Sequence, residues 1–473
     1  MQPIDVAPYM FLGLIVFLLI GYPVAFSLAS VGIAFAAFGI ATGLLDASFL
    51  NTIPLRLFGN IMSKELLLAV PFFTFMGAVL EKSRLAEDML EGFGELFGPV
   101  RGGLAYAVIF VGAILGAVTG TVAASVIAMA IIALPVMMRY GYDMKLGTGV
   151  VAASGTITQL IPPALVLIVL ADQLGKPVGD MYRGAIGPSI LQVLLFCLYV
   201  FAISLLYPRA MPALPPEART LHGWKLAEKL IRGMVPSLAL IFIVLGTILM
   251  GLATPTESGA MGAAGAIALA WFNRRLSWPM LWHAMDSTTR LSTMVIFIVI
   301  GSTTFSSIFQ GYYGGQWIEH LLTALPGGVI GFLIFVNIFI FILAFFLDFF
   351  EIAFIVIPLL APVAEKLGID LIWFGVLIGA NMQTSFMHPP FGFALFYLRG
   401  VAPPEVKTGD IYYGAIPWVG LQLLLVAILI FFPEVVTTFV DKPVTVDPNT
   451  IQQLDIPGID DAPPLEFEPP KIE

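Results

Sequence analysis

Two stretches of the chain carry the same unusual set of side chains within apolar sequence: Gly155-Thr-Ile-Thr-Gln-Leu-Ile-Pro-Pro163 and Asn381-Met-Gln-Thr-Ser-Phe-Met-His-Pro-Pro390. Each combines a glutamine, hydroxyl side chains and a double proline. Proline lacks an N–H and clashes with the preceding turn, so Pro162-Pro163 and Pro389-Pro390 each break a helix and free main-chain carbonyls. At membrane depth such carbonyls persist only where protein covers them, where they line a wet cavity, or where they hold an ion. Paired breaks in corresponding positions of two halves mark the central site of a membrane transporter. The two stretches are therefore expected to form two re-entrant hairpin tips that together enclose an ion and a substrate.

The expected ion is Na+, a hard cation that main-chain carbonyls and Ser, Thr or Asn oxygens can ligate. Its candidate ligands are Thr119, Thr121, Ser125, Ser154, Gly155 and Thr156 in the first half, and Asp348, Asn381, Thr384 and Ser385 in the second, with Gln383 beside them. Any one hydroxyl is more often a packing or back-bonding residue than a ligand, so the argument rests on their clustering at breaks. Candidate substrate contacts are Gln159, Pro162, Pro163, Gln383, His388, Pro389, Pro390 and Arg399. His388 is either a proton carrier or a hydrogen-bonding neighbour. Arg399 either meets an anionic substrate or snorkels to the interface.

Asp348 and Glu351 are the outstanding charges inside an apolar run, and their i, i+3 spacing puts them on one helix face. Carboxylates at membrane depth are functional candidates by default. The alternative is structural, a cap on a broken helix or a packing ion pair. Displaced by 227 residues, Asp348 falls on Thr121.

Positioning such residues requires a membrane fold. The 473 residues are 59% hydrophobic and 11% charged. A soluble chain of this length would carry charge on about a quarter of its residues, so this is an all-α polytopic membrane protein. The lone Cys197, inside an apolar run, reads as a small packed residue. Much of the net charge of −9 sits in the C-terminal tail, and it says little about substrate. The amino-terminal segment carries Asp5 and no basic residue before Arg56, which argues for a retained first span with an outside N-terminus rather than a cleaved signal.

Apolar runs cover residues 9–41, divided or kinked at Gly21-Tyr-Pro23, and then 66–80. An amphipathic interfacial helix is expected over 81–97. The run 102–138 is too long for a single span, and an interruption is expected near residues 119–121. The basic residues Arg209, Arg219, Lys225, Lys229 and Arg232 precede two spans that end at Arg274-Arg275, which places both basic groups on the cytoplasmic face. Gly141 and Gly368 stand 227 residues apart, as do Pro162 and Pro389, so turn and double proline share one register of a structural repeat, expected to be inverted. The expected organisation is scaffold helices with an interfacial helix (1–98), a first transport element of broken helix and hairpin (99–180), and further scaffold with a basic loop at 208–233 (181–325). A second transport element (326–410), a terminal span (411–440) and an acidic, Pro-rich tail (441–473) follow.

No phosphate loop, His-Glu-x-x-His or Gly-x-Ser-x-Gly motif is present. The motifs Val70-Pro-Phe-Phe-Thr-Phe-Met-Gly77, Gly116-Ala-Val-Thr-Gly-Thr-Val-Ala-Ala-Ser125, Ala152-Ala-Ser-Gly-Thr156 with Ile161-Pro-Pro163, Ala253-Thr-Pro-Thr-Glu257 and Pro389-Pro-Phe-Gly392 resemble the large membrane subunit of the tripartite ATP-independent periplasmic (TRAP) transporters over nearly the full length. Phe346-Leu-Asp-Phe-Phe-Glu351 and Phe391-Gly-Phe-Ala-Leu-Phe-Tyr397 look like the mannitol/chloroaromatic or 2-oxo acid branch. The resemblance implies a non-enzymatic, Na+-coupled, elevator-type importer in the bacterial inner membrane. It also implies a periplasmic binding protein that delivers a small carboxylate, a small membrane subunit that completes the scaffold, surrounding lipid, and no nucleic acid. C4-dicarboxylates and sugar acids are alternative substrates. A channel or intramembrane enzyme built on Asp348 and Glu351, or a purely structural subunit, would be a different class of protein.

Overall fold

The computed structural model describes residues 2–83, 85–119, 122–219, 223–345, 347–390 and 392–440. Thr121 and the tail 441–473 lie outside the described residues. All regular structure among the described residues is helical, and six helices are long and apolar enough to cross a membrane unaided. The first apolar run divides as its glycine and proline require. Ala7–Ile20 ends where Gly21 adopts φ +88°, and Val24–Thr42 begins after Pro23. The amphipathic helix is Leu85–Phe97.

Main-chain hydrogen bonds decide which segments return to the face they left. The chain before the Gly103–Thr119 helix and the chain after the Val122–Arg139 helix both bond to one segment. Gly102 N donates to Met211 O at 3.0 Å and Asp143 N to Ala210 O at 2.9 Å. Leu104 N, at the start of the first limb, donates to the hydroxyl of Tyr142 beyond the second. Residues 103–139 therefore enter and leave on one face. That face carries Arg101, Arg139 and Arg209 and is cytoplasmic by the positive-inside rule.

The double-proline stretch behaves differently. Met144–Thr156 starts on the cytoplasmic face, and Leu165–Leu174 continues to the other side. After a three-residue connection begins Val178–Leu206, whose 29 residues span about 43 Å before reaching Tyr207 on the cytoplasmic face. The expected roles are thus exchanged. The interrupted run 103–139 is the re-entrant hairpin, and the double proline breaks a span that crosses. Sequence alone did not separate the two, because both elements are a pair of short apolar helices around a polar break.

The second half repeats this arrangement in the opposite sense. Lys366, at the end of Ile357–Lys366, pairs with Glu319 on the Gly314–Thr323 helix that precedes Gly328–Leu343, so residues 328–366 also return to the face they left. Leu371–Met382 then runs antiparallel to Leu165–Leu174, with Gly375 against Leu174 and Gly379 against Leu170. The second broken span consequently begins where the first one ends. Asp143 and Asp370 both N-cap their spans, and Gly141 and Gly368 before them both take positive φ. The long helices that follow, Val178–Leu206 and Thr408–Phe431, each carry an internal proline, Pro188 and Pro417.

The outer helices keep the same relation. Val24–Thr42 packs on Trp278–Gly311 with Gly301 against the carbonyl of Ala25, and Pro255–Phe272 packs on Ala69–Lys82 with Gly262 against Met76. Small residues let these helix backbones approach closely, the usual way helices associate in lipid.

Candidate ion and substrate site

The first broken span stops at Thr156 and re-forms at Leu165, with Pro162-Pro163 as a cis bond between them. Its inner end is pressed against both limbs of the first hairpin. A Cβ on Gly112 would meet Ser154 at 2.7 Å, and one on Gly155 would lie 2.2 Å from Val126 Cγ2. Within this tight packing the Ser154 and Thr158 hydroxyls and both polar atoms of the Gln159 side chain are buried without a partner among the described residues. Each such group costs about 1–3 kcal/mol if left unsatisfied, so a cluster of them marks a place where something else is bound. Thr156 is satisfied, donating to Ala153 O at 2.9 Å.

The second break runs from Met382 to Phe393 and holds the cis bond Pro389-Pro390. Thr384 and Ser385 donate to the carbonyls of Asn381 and Met382. Asn381 donates to the carbonyl and the side-chain oxygen of Asn337 on the second hairpin, which leaves its own Oδ1 unpartnered. His388 is buried, with neither ring nitrogen hydrogen-bonded among the described residues, and is wedged against Phe341 and Phe345. The two breaks meet: Met387 Sδ lies 3.6 Å from Thr156 Oγ1.

Of the hairpin tips, Thr119 ends the first limb, and Ser125, fully buried, lies one turn into the second. At the other tip Asp348 and Glu351 form a reciprocal capping box. Glu351 N donates to Asp348 Oδ1 at 3.0 Å, and Asp348 N to Glu351 Oε2 at 2.9 Å. The pair thus starts the second limb, which passes straight into a π-helical turn at Ile352–Val356. Such turns are frequent at functional positions.

Arg399 is not part of this centre. It lies exposed near the end of Phe393–Val401 and donates to Val406 O at 2.7 Å, bracing the turn into the last span. Gln159, Pro162, Pro163, Gln383, His388, Pro389 and Pro390 do lie in the breaks.

Two residues were missed by sequence reasoning. Gln192, on the long helix after the first break, exchanges hydrogen bonds with Gln383, and Gln422, on the long helix after the second, donates to Thr156. Their signal was available, since each is a fully buried glutamine within a long apolar span. Among the described residues no three His, Cys, Asp or Glu side chains converge. The oxygens gathered at the breaks are hydroxyls, amides and main-chain carbonyls, a donor set suited to a hard monovalent cation.

Two oppositely directed halves, each a re-entrant hairpin beside a broken span whose polar break lies at the centre of the protein, define a polytopic membrane permease. Residues 11–435 match the family described as the tripartite ATP-independent periplasmic transporter, DctM component, and the chain belongs to that family. It is similar to the C4-dicarboxylate TRAP transporter large permease protein of Vibrio cholerae, at 28% identity over 90% of this chain and 96% of that one. It is also similar to the 2,3-diketo-L-gulonate TRAP transporter large permease protein of Escherichia coli, at 26% identity over 78% of this chain and 85% of that one. The crystal structure of the YdaH transporter of Alcanivorax borkumensis superposes with a TM-score of 0.61 at 16% identity, over 84% of this chain and 91% of that one. That likeness speaks for the fold. The chain is a multi-pass transporter subunit of the bacterial inner membrane and not an enzyme.

Proposed function

We propose that the chain is the Na+-coupled large permease subunit of an importer for a small organic acid. A 2-oxo acid or other monocarboxylate is the first choice, with C4-dicarboxylates and sugar acids as alternatives. The relatives named above, permeases for a dicarboxylate and a keto sugar acid, support a carboxylate cargo. A periplasmic binding protein delivers the acid, and a small membrane subunit completes the scaffold against the lipid.

One observation carries the reading: two breaks of opposite direction abut at Thr156 and Met387 and bury hydroxyl and amide oxygens that have no partner among the described residues. Na+ would be held at the first break by Ser154, Gly155 and Thr156 with the first hairpin tip, and at the second by Asn381, Thr384 and Ser385 with the second tip. Bound beside the acid, it offsets the anion's charge, so cation and anion enter the low-dielectric centre together more cheaply than either does alone. Gln159 and His388 face the cargo as neutral donors.

The hairpins and broken spans move as one body, an elevator. In support, Gly112 and Gly155 press the first hairpin and the first broken span together, and the Lys64–Asp172 ion pair joins that span to the scaffold on the outer face. Proteoliposomes carrying this chain with its small subunit, supplied with loaded binding protein, should accumulate the acid only under an inward Na+ gradient. Equal uptake with Na+ replaced by K+ would overturn the coupling.

A further inference from the structure

A polar cleft of about 240 Å3 opens on the outer face, between the scaffold and the transport elements. One wall is Trp278–Gly311, which turns Thr303, Ser306, Ser307 and Gln310 toward the cleft from successive turns. A second wall is Thr52–Leu57, which supplies Arg56. The third belongs to the transport elements: Asp172 of the first broken span, and Phe354 in the π turn that follows the Asp348–Glu351 cap.

The charges in this cleft do not balance. Lys64 bonds both oxygens of Asp172, at 2.8 and 2.9 Å, and the two cancel. Arg56 forms no ion pair among the described residues. It donates from Nη1 to the side-chain oxygen of Gln310 at 2.8 Å and more weakly to Ser307 at 3.5 Å, which leaves most of its five N–H donors uncommitted. Thr303 and Ser306 make no side-chain hydrogen bond among the described residues, although they lie half-buried beside it. A half-buried guanidinium with spare donors, ringed by uncommitted hydroxyls, has the chemistry to hold one small carboxylate by a two-pronged, charge-assisted contact.

We infer that this cleft is a receiving site, where Arg56 holds the carboxylate on the outer face before it passes between Phe354 and the scaffold to the central breaks. The inference rests on the carboxylate reading above. Its wall of moving elements means that the site exists only while those elements stand beside Arg56, so capture is tied to the outward position. The charge is a single cation and the cleft is small, which suits a mono- or dicarboxylate better than a larger polyanion.

The test places a cysteine at the site in the full complex. Cys197→Ala removes the native thiol, and Ser306→Cys or, separately, Thr303→Cys introduces one in the cleft wall. Outside-facing, membrane-impermeant thiol reagent should label both positions. Pyruvate or succinate at about ten times its dissociation constant should slow labelling by roughly tenfold, as a site nine-tenths filled requires. Arg56→Gln should abolish the protection while the cysteine still labels, and Arg56→Lys, which keeps the charge but not the fork, should retain part of it. Failure of either cysteine to label from outside, equal labelling with and without both acids, or protection by inorganic phosphate alone overturns the proposal. The uptake assay fails independently: protection without Na+-driven uptake would overturn the coupling and leave the receiving site standing.

Discussion

Gln192 and Gln383 face each other as a closed pair: Gln192 Nε2 lies 2.5 Å from Gln383 Oε1, and Gln383 Nε2 lies 3.2 Å from Gln192 Oε1. The related bond on the other side, from Gln422 Nε2 to Thr156 Oγ1 at 2.9 Å, is one-way and leaves Gln422 Oε1 without a partner. Each break is therefore tied to the long helix that follows the other break, and the second is tied more completely. Gln192 and Gln422 are positioning residues, since they hold Gln383 and Thr156 from outside the breaks.

Removing one member of the closed pair strands a buried amide, whereas removing both strands nothing. Gln192→Leu should cost about 1–3 kcal/mol, and the double variant Gln192→Leu with Gln383→Leu should recover most of that loss. Gln422→Leu, which deletes a single neutral bond, should cost about 1 kcal/mol. Thermal unfolding of the detergent-solubilised protein reads all three. A double variant no more stable than Gln192→Leu would show that the pair does not act as a unit.

How far the chain could be read beforehand follows from what each signal encodes. Double prolines announce a break because they lack a donor, whatever surrounds them, and both breaks are where the sequence puts them. Direction is another matter. Whether the chain after Pro163 turns back or goes on depends on where Val178–Leu206 starts and ends, a tertiary fact that no local spacing contains. Asp348 and Glu351 were ambiguous for a related reason, because i, i+3 carboxylates suit an ion site and a helix cap equally, and only the main-chain geometry shows the reciprocal cap. Arg399 stayed open between an anion contact and an interfacial anchor because no local spacing says which way its helix carries it; six helical steps from Phe393 take it about 9 Å along the span.

The cap itself can be tested. Asparagine keeps the side-chain oxygen that accepts from Glu351 N, so Asp348→Asn should fold normally and retain most uptake. Asp348→Ala should lose about 1 kcal/mol of stability, the usual value of an N-cap. The Na+ concentration at half-maximal uptake separates cap from ligand. A large increase for Asp348→Asn with unchanged stability would mean that the carboxylate charge holds the ion and that capping is secondary.

Gly155 presses on Val126 Cγ2, so the packing of the first hairpin on the first broken span can be probed by paired changes. Gly155→Ala places a methyl 2.2 Å from that atom and should abolish uptake or expression. Adding Val126→Ala removes the nearest atom but leaves main-chain contacts at 3.2 and 3.3 Å, so recovery should be partial. Gly246→Ala, where nothing lies within 4 Å, should be silent. Full activity in Gly155→Ala alone would show that the two elements separate more easily than their packing implies.

Lys64 and Asp172 connect the scaffold to the first broken span, and any transport cycle that shifts one against the other must break this pair. With side chains 33% and 13% exposed, it is screened less than a surface ion pair, whose coupling is about 0.2–1 kcal/mol. Its loss should therefore shift the balance between positions rather than unfold the protein. Lys64→Asp and Asp172→Lys should each slow uptake, and the exchanged pair should restore it, because the attraction survives reversal of its direction. A cysteine pair at the same two positions, joined by a cleavable bifunctional thiol cross-linker long enough to span the former ion pair, should halt transport and release it when the linker is cleaved. Undiminished uptake by the cross-linked pair would mean that the two elements never part, and a moving body would then have to be sought elsewhere in the fold.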